Sequence, residues 1–153
     1  MSAPPAVRRA ESPADFRALT AMLREYAEEL GVDLCFQNFA AELADPAAVY
    51  EAALIAGAAD APAGCVALKR LDARRCEMKR LYVRPAFRGT GLGRRLAEAI
   101  VAEARAKGCA EIVLDTLERL KPAVAMYESM GFTRAPAYYD NPEPDVVYMR
   151  LAL

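Results

Sequence analysis

A mixed α/β fold, with an antiparallel meander followed by one parallel crossover, is what this sequence predicts. Three observations carry the prediction. Apolar segments from Tyr50 to Gly57, Gly64 to Leu71 and Cys76 to Val83 succeed one another across short polar turns, the pattern of a three-strand meander. The third runs through Pro85 into a glycine-rich stretch, a helical periodicity and a further apolar strand, Glu111 to Thr116; strand, turn, helix and strand in that order form a βαβ unit. Elsewhere apolar residues recur at steps of three and four, the spacing of one helix face. With 153 residues the chain has the length of one ordinary domain. Residues 1–153 are therefore expected to form a single domain in the order β-α-α-β-β-β-α-β-α-β-β.

Taken in order, Val7 to Ala10 reads as a short strand. Ser12-Pro13-Ala14-Asp15 supplies an N-cap, a proline at the first helical position and the acid of a capping box, so a helix follows. Phe16, Leu19, Leu23, Tyr26 and Leu30 form its apolar stripe, Glu25, Glu28 and Glu29 lie mostly on another face, and Gly31 stops it. Phe36, Phe39, Ala40 and Leu43 repeat the spacing in a shorter helix that ends before Asp45-Pro46. Turns at 60–63 and 72–75 separate the meander strands, and Pro85, which lacks a backbone donor, ends the third. Leu92, Leu96, Ile100 and Ala104 place one stripe on the helix that follows, and Gly108 closes it. A second helical stretch, Pro122 to Met130, carries Ala123, Met126, Tyr127 and Met130 on one side. Phe132 to Tyr139 and Val146 to Leu153 are expected as closing strands around the polar loop 140–145.

Composition narrows the function. Twenty Lys and Arg balance 21 Asp and Glu, for a net charge of −1, so neither nucleic acid nor an anionic membrane is an expected partner. The sequence has no histidine, which removes Ser-His and Cys-His nucleophile pairs. Cys35, Cys65, Cys76 and Cys109 show no CxxC spacing, so no metal site is expected and the thiols read as small apolar residues. The first residues contain no apolar core of a signal peptide, and no run approaches a membrane span. A cytoplasmic location with reduced thiols is the corresponding expectation.

The stretch Arg88-Gly89-Thr90-Gly91-Leu92-Gly93 lies directly between a strand and a helix N-terminus. Glycines there let the backbone approach a ligand while unpaired N–H groups and the helix dipole face it, an arrangement suited to an anion. Arg88, Arg94 and Arg95 add fixed positive charge that matches a pyrophosphate. The Lys-Ser/Thr pair of a P-loop and the spacing of a dinucleotide fingerprint are both missing. Taken alone, the stretch also fits a tight strand-to-helix connection with solvated arginines.

The flanks add specificity. The run Leu81-Tyr82-Val83-Arg84-Pro85-Ala86-Phe87-Arg88-Gly89-Thr90-Gly91-Leu92-Gly93-Arg94-Arg95-Leu96 resembles the acetyl-CoA-binding motif of the GCN5-related N-acetyltransferase (GNAT) superfamily. Farther on, Ala125-Met126-Tyr127-Glu128-Ser129-Met130-Gly131-Phe132 resembles the family's second motif, a helix carrying Tyr that ends in Gly-Phe. The resemblance covers nearly the whole chain. It implies the acyl-CoA N-acyltransferase fold, in which a bulge splays the strand before the loop from the next parallel strand, so that pantetheine lies between them like an extra strand. It further implies that Leu81, Tyr82 and Val83 line the pantetheine, Leu81 and Val83 through their backbones. Arg88, Gly89, Thr90, Gly91, Leu92, Gly93 and Arg94 would hold the pyrophosphate of acetyl-CoA, the acetyl donor. Tyr127 matches the family's general-acid Tyr, although the spacing by itself reads as a core Tyr on an amphipathic helix. Relatives often carry Asn seven residues before that Tyr, where Leu120 stands here, so that contact is absent.

An amine attacking a thioester must lose a proton, and Glu77, on the strand entering the wedge, is the candidate base. A cross-strand partner for Lys69 or Arg70 is its alternative reading, and water relayed through backbone carbonyls is a third. Glu28, Asp33, Asp140, Glu143 and Asp145 are candidates to attract an ammonium, with Tyr138 and Tyr139 as a wall. The function implied is transfer of an acetyl group to a small-molecule amine by direct attack in a ternary complex. Protein N-terminal or lysine acetylation, and a non-catalytic acyl-CoA sensor, are the alternatives. A homodimer accords with the resemblance, but no feature of the chain requires one.

Overall fold

The computed structural model describes residues 3–153, the side chain of Phe36 excepted. Its elements are β1 (Val7–Arg9), α1 (Pro13–Leu30), α2 (Phe39–Ala44), α3 (Pro46–Val49), β2 (Ala52–Ala56), β3 (Gly64–Arg70), β4 (Arg75–Val83), α4 (Leu92–Ala106), β5 (Glu111–Leu117), α5 (Lys121–Ser129), β6 (Thr133–Arg134) and β7 (Val146–Ala152). The strands form one sheet in the order β1-β2-β3-β4-β5-β7-β6. Only β4 and β5 run parallel, and they are the pair joined by the α4 crossover. The acyl-CoA N-acyltransferase architecture is thereby realised. No helix among the described residues is long and apolar enough to cross a membrane.

Two cores sandwich the sheet. On one face Leu92, Leu96, Ile100 and Ala104 of α4 bury against Leu54, Val66, Leu68 and Ile112, and Tyr127 of α5 joins the same cluster. On the other, Leu19, Met22 and Leu23 of α1 cover Ile55, Cys65, Ala67 and Tyr82. Strand alternation accounts for the division, because successive residues of one strand feed opposite faces.

The cap of α1 forms as expected: Asp15 N–H donates to Ser12 Oγ at 3.1 Å, and Ser12 N–H to Asp15 Oδ2 at 3.3 Å. Gly31 ends the helix at φ 68°, a left-handed conformation that glycine adopts without strain. Ser12→Ala is expected to lower stability by about 1 kcal/mol, a fall in Tm of about 2–4 °C for a chain of this size, measured by a thermal melt.

Four expectations are corrected. The predicted helix around 36–43 is a 3₁₀ turn (Cys35–Gln37) followed by α2, interrupted by Asn38 at φ 56°; Phe36's part in the apolar stripe lies outside the described side chains. Asp45-Pro46 does not only end α2 but starts α3, because the Asp45 carboxylate accepts from Ala48 N–H at 3.3 Å and Pro46 occupies the first helical turn. The strand predicted from Phe132 to Tyr139 shrinks to Thr133–Arg134, since Pro136 offers no ladder donor and the chain then turns Tyr138 and Tyr139 into an aromatic cluster with Tyr148. Cys76 and Cys109, expected as free thiols, are paired as a disulfide. Each flanks the start of the parallel ladder, in which Cys76 is in register with Ile112.

Two irregularities of β4 position the site. Its pairing with β3 shifts between Cys65↔Tyr82 and Ala67↔Lys79, so β4 carries one extra residue, a β-bulge. Arg80, within it, has φ 60°. The parallel ladder with β5 consists of Arg75↔Glu111, Cys76↔Ile112 and Glu77↔Val113 alone. Beyond Glu77 the strands part.

Candidate active site

The parted strands open a cleft of about 600 Å³. Leu81, Tyr82 and Val83 form one wall, Gly89, Gly91, Leu92 and Gly93 the loop side, and residues of α1 and α5 the rest. Arg84 N–H donates to the Ala63 carbonyl at 2.8 Å, so by strand alternation the peptide groups of Val83 face away from β3 into the opening. Gly89 and Gly91 adopt φ 76° and 82°, and a Cβ at either would meet nothing within 4 Å. Glycine is used there for backbone conformation rather than for crowding, and the space above it is open. Gly91 is also the N-cap of α4 and provides no side-chain cap, leaving first-turn N–H groups turned toward the cleft mouth.

Arg88, Arg94 and Arg119 line this cleft. Arg88 is braced by Glu29 at 2.6 Å and by the Val83 carbonyl at 2.9 Å, and Arg94 by Glu98 and Ser129, each at 2.7 Å. Two residues depart from the expected set. Arg95 turns away to the Pro5 carbonyl at 2.8 Å, and Thr90 donates to the Phe87 carbonyl at 2.6 Å, shaping the loop without lining the cleft. Arg119 was not legible as a cleft residue, because it depends on where the β5–α5 turn folds back.

A second, smaller cavity of about 120 Å³ adjoins the first, and Tyr26, Leu30, Leu81, Leu120 and Ala123 belong to the walls of both. Tyr127 lines it. Its ring packs edge-on against Phe132 at 5.7 Å, its hydroxyl has no hydrogen-bond partner among the described residues, and burial pushes the phenol above its ordinary value. Asp115, in the half of β5 that has parted from β4 and still pairs with β7, lines the same cavity. One of its oxygens, Oδ2, accepts from Asn141 Nδ2 at 2.7 Å, Gln37 Nε2 at 3.3 Å and the Tyr139 hydroxyl. Sequence reasoning missed Asp115, although an acid inside an otherwise apolar strand was the available signal.

Glu77 is placed elsewhere. The ladder still holds it in register with Val113, and it lines a neighbouring cavity of about 350 Å³ with Lys69, Lys79 and Tyr138, not the one containing Tyr127. Burial raises its carboxyl despite Lys79 and the Tyr138 hydroxyl that donates to it. Lys69 is its register partner on β3. Of the other acids singled out, Glu143 lines the cavity, Asp145 pairs with Arg119 at 2.8 Å and Asp33 caps Cys35 N–H at 2.9 Å. Glu28 and Asp140 line neither space.

Beneath the bulge lies a buried ionic cluster. Arg80 donates from Nε and Nη2 to the two oxygens of Glu42 at 2.8 and 2.7 Å, Lys79 Nζ stands 3.3 Å from the same carboxylate, and the Tyr50 hydroxyl donates to it. Burial works to raise the Glu42 carboxyl, but the Arg80 hydrogen bonds and charge, with Lys79, outweigh it and hold the group below its ordinary value. Among the described residues no group of three or more Cys, Asp and Glu is arranged to hold a metal.

Comparison with known proteins agrees with this geometry. Residues 16–132 match the model of the acetyltransferase (GNAT) family. An uncharacterized N-acetyltransferase of Schizosaccharomyces pombe is 44% identical over 147 residues, covering 92% of this chain and 90% of its own. A crystallised acetyltransferase from Streptococcus agalactiae superposes with a TM-score of 0.78 at 24% identity, over 97% of this chain and 98% of that one. A Bacillus subtilis acetyltransferase solved in complex with CoA gives 0.71 at 19% identity, over 97% and 99%.

Proposed function

The chain belongs to the GNAT acetyltransferase family and is an N-acetyltransferase, and from that premise we propose that it transfers an acetyl group from acetyl-CoA to the amine of a small molecule by direct attack in a ternary complex. The observation that carries the reading is the junction of the two spaces. A cleft with glycine backbone and arginines at its mouth opens, across Leu81 and Leu120, onto a small cavity containing a phenol. The residues present fit acetyl-CoA: Gly89 and Gly91 leave open room over the loop, Arg88 and Arg94 offer charge for a pyrophosphate, and the unpaired β4 backbone offers hydrogen bonds to a pantetheine arm. When bound there, acetyl-CoA supplies an acetyl group activated as a thioester.

The remaining chemistry falls to the chain. The peptide N–H of Leu81 or Val83 is available to polarise the acetyl carbonyl. Tyr127 holds a proton on Oη and delivers it to the departing sulfur. Direct transfer accords with the cysteines, since none lines cleft or cavity and burial pushes the Cys65 thiol up to about 12, so no thiolate stands ready to take the acetyl group. A cavity of about 120 Å³ suits a small acceptor; an engineered cavity of about 150 Å³ takes a benzene.

Thermal unfolding in the presence of excess acetyl-CoA, CoA, ATP or NAD tests the donor site. Ligand at about 100 times its Kd adds about 2.7 kcal/mol, a rise of roughly 5–10 °C for this size. Both CoA species are expected to give it and the two nucleotides are not. Gly91→Asp, which sets a carboxylate in the anion cradle, is expected to weaken CoA about tenfold or more. An unchanged Kd in that variant would place the pyrophosphate elsewhere.

A further inference from the structure

Three donors converge on Oδ2 of Asp115, and none reaches Oδ1. The asymmetry has a structural origin. Gln37, from the turn before α2, and Tyr139 and Asn141, from the loop before β7, approach the carboxylate together, while the departed β4 leaves its other flank to the cavity. Gln37 is itself half satisfied: Nε2 serves Asp115 and the Tyr139 hydroxyl, at 3.3 and 2.6 Å, whereas Oε1 is buried with no partner. A buried acceptor left unmade is costly. Gln37 Oε1 is one, and Asp115, whose half-buried carboxylate leaves Oδ1 without a hydrogen bond, lines with it the cavity of Tyr127.

The positive charges nearby do not satisfy them. Arg80 is committed to Glu42, and Lys79 stands between Glu42 and Glu77, at 3.3 and 3.8 Å. Arg119 is engaged by Asp145 and by Glu143, the other acid of this cavity, at 2.8 and 3.7 Å. What the pair lacks is a cationic group with at least two N–H donors.

We infer that Asp115 Oδ1 and Gln37 Oε1 receive the ammonium group of the acceptor, which makes the substrate a primary aliphatic amine that enters protonated. Asp115 anchors the cation and takes one of its protons, leaving the nitrogen lone pair free and the Asp115 carboxyl neutral until the proton passes to water. Gln37 holds a second N–H and fixes the direction of the lone pair. Glu77 has no part in this transfer. The inference rests on the acetyl-transfer reading and adds to it the class of acceptor and the residues that select it.

The test uses the full chain, acetyl-CoA and a panel of small primary amines, amino alcohols and amino acids at pH 7, with release of CoA thiol as the readout. For the best acceptor, the isosteric O-alkylhydroxylamine, neutral at that pH, is run in parallel. Asp115→Asn is expected to lower kcat/KM for the ammonium substrate about 100-fold or more, and to lower it far less for the hydroxylamine. Gln37→Leu, which leaves β5 untouched, is expected to raise KM about tenfold. Both variants should keep the acetyl-CoA thermal shift, which shows that they are folded. Turnover of the ammonium substrate by Asp115→Asn at the wild-type rate, or an equal loss for both substrates, overturns the assignment, as does wild-type preference for the neutral isostere. Wild-type protein that binds acetyl-CoA but acetylates no amine overturns the ammonium site and leaves the donor cleft standing. Absence of any acetyl-CoA shift overturns the acetyl-transfer reading itself.

Discussion

Tyr127→Phe is expected to lose about 100-fold or more in kcat while binding acetyl-CoA as wild type does. The phenol lines the small cavity and not the large cleft, so its removal should leave donor affinity within about twofold, below the scale of a single lost hydrogen bond. Phe also preserves the edge-on contact with Phe132, so stability should barely change. Burial raises the Tyr127 phenol, and the group acts in its protonated form. It therefore stays competent across the neutral range and through the ordinary tyrosine value of about 10, and any alkaline loss of rate below that must come from another group. Steady-state kcat and KM with a calorimetric Kd check this. A variant that acetylates as fast as wild type would remove Tyr127 from the mechanism.

Glu42→Gln is expected to carry the largest cost in stability. Glu42 and Arg80 are 1% and 5% exposed, and the substitution strands the Arg80 guanidinium with no carboxylate and leaves the Lys79 ammonium only Glu77, at 3.8 Å. Breaking one partner of a buried pair costs about 3–5 kcal/mol, or roughly 6–20 °C in Tm for this chain length. The pH dependence follows from the direction of the shift. A carboxyl held below its unfolded value near 4.3 stabilises the fold at every pH above that value, and the contribution fades as pH falls through the folded value. Wild type and Glu42→Gln should differ most near neutrality and converge in acid. Differential melts from pH 7 to pH 3 measure it, and a constant gap would mean that Glu42 is not the titrating group. Function is expected to suffer as well, since Arg80 sits in the bulge at φ 60°, a left-handed conformation that costs a non-glycine residue about 1–3 kcal/mol and that the Glu42 contact helps to hold.

The local signals that were legible in the sequence are those set by short-range chemistry. Ser12, Asp15 and Gly31 delimit α1 because caps act within a turn, and the glycine-rich run before Leu92 marks α4 because strand, loop and helix are contiguous. Gly89, Gly91 and Arg94 were placed together on the same grounds, and Leu81 and Val83 joined them only through the resemblance to the GNAT motif. What was hidden depends on distance along the fold. Alternation puts Glu77 and Lys79 on one face but cannot say that the β4–β5 ladder ends at Glu77↔Val113, which separates Glu77 from the Tyr127 cavity. Arg80 reads as an ordinary strand residue until its partner, Glu42, arrives from α2. Asp115 and Gln37 are 78 positions apart, and only the fold makes them neighbours. Pro136 shortens β6 through one missing donor, a signal present in the sequence but outweighed by the apolar run around it.

The parting of β4 and β5 also bears on how the chain avoids self-association. Most sheets expose their unpaired backbone at the perimeter, where it can recruit a strand from another molecule. Here a second pair of open edges lies inside the sheet, along Leu81 to Val83 and the facing half of β5. Tyr26 and Leu30 of α1 and Ala123 and Met126 of α5 wall that gap, so an extended chain from a neighbour would have to enter between two helices rather than along a flat edge. The walls of the binding site thereby also narrow the approach of a foreign strand to the open backbone inside the sheet.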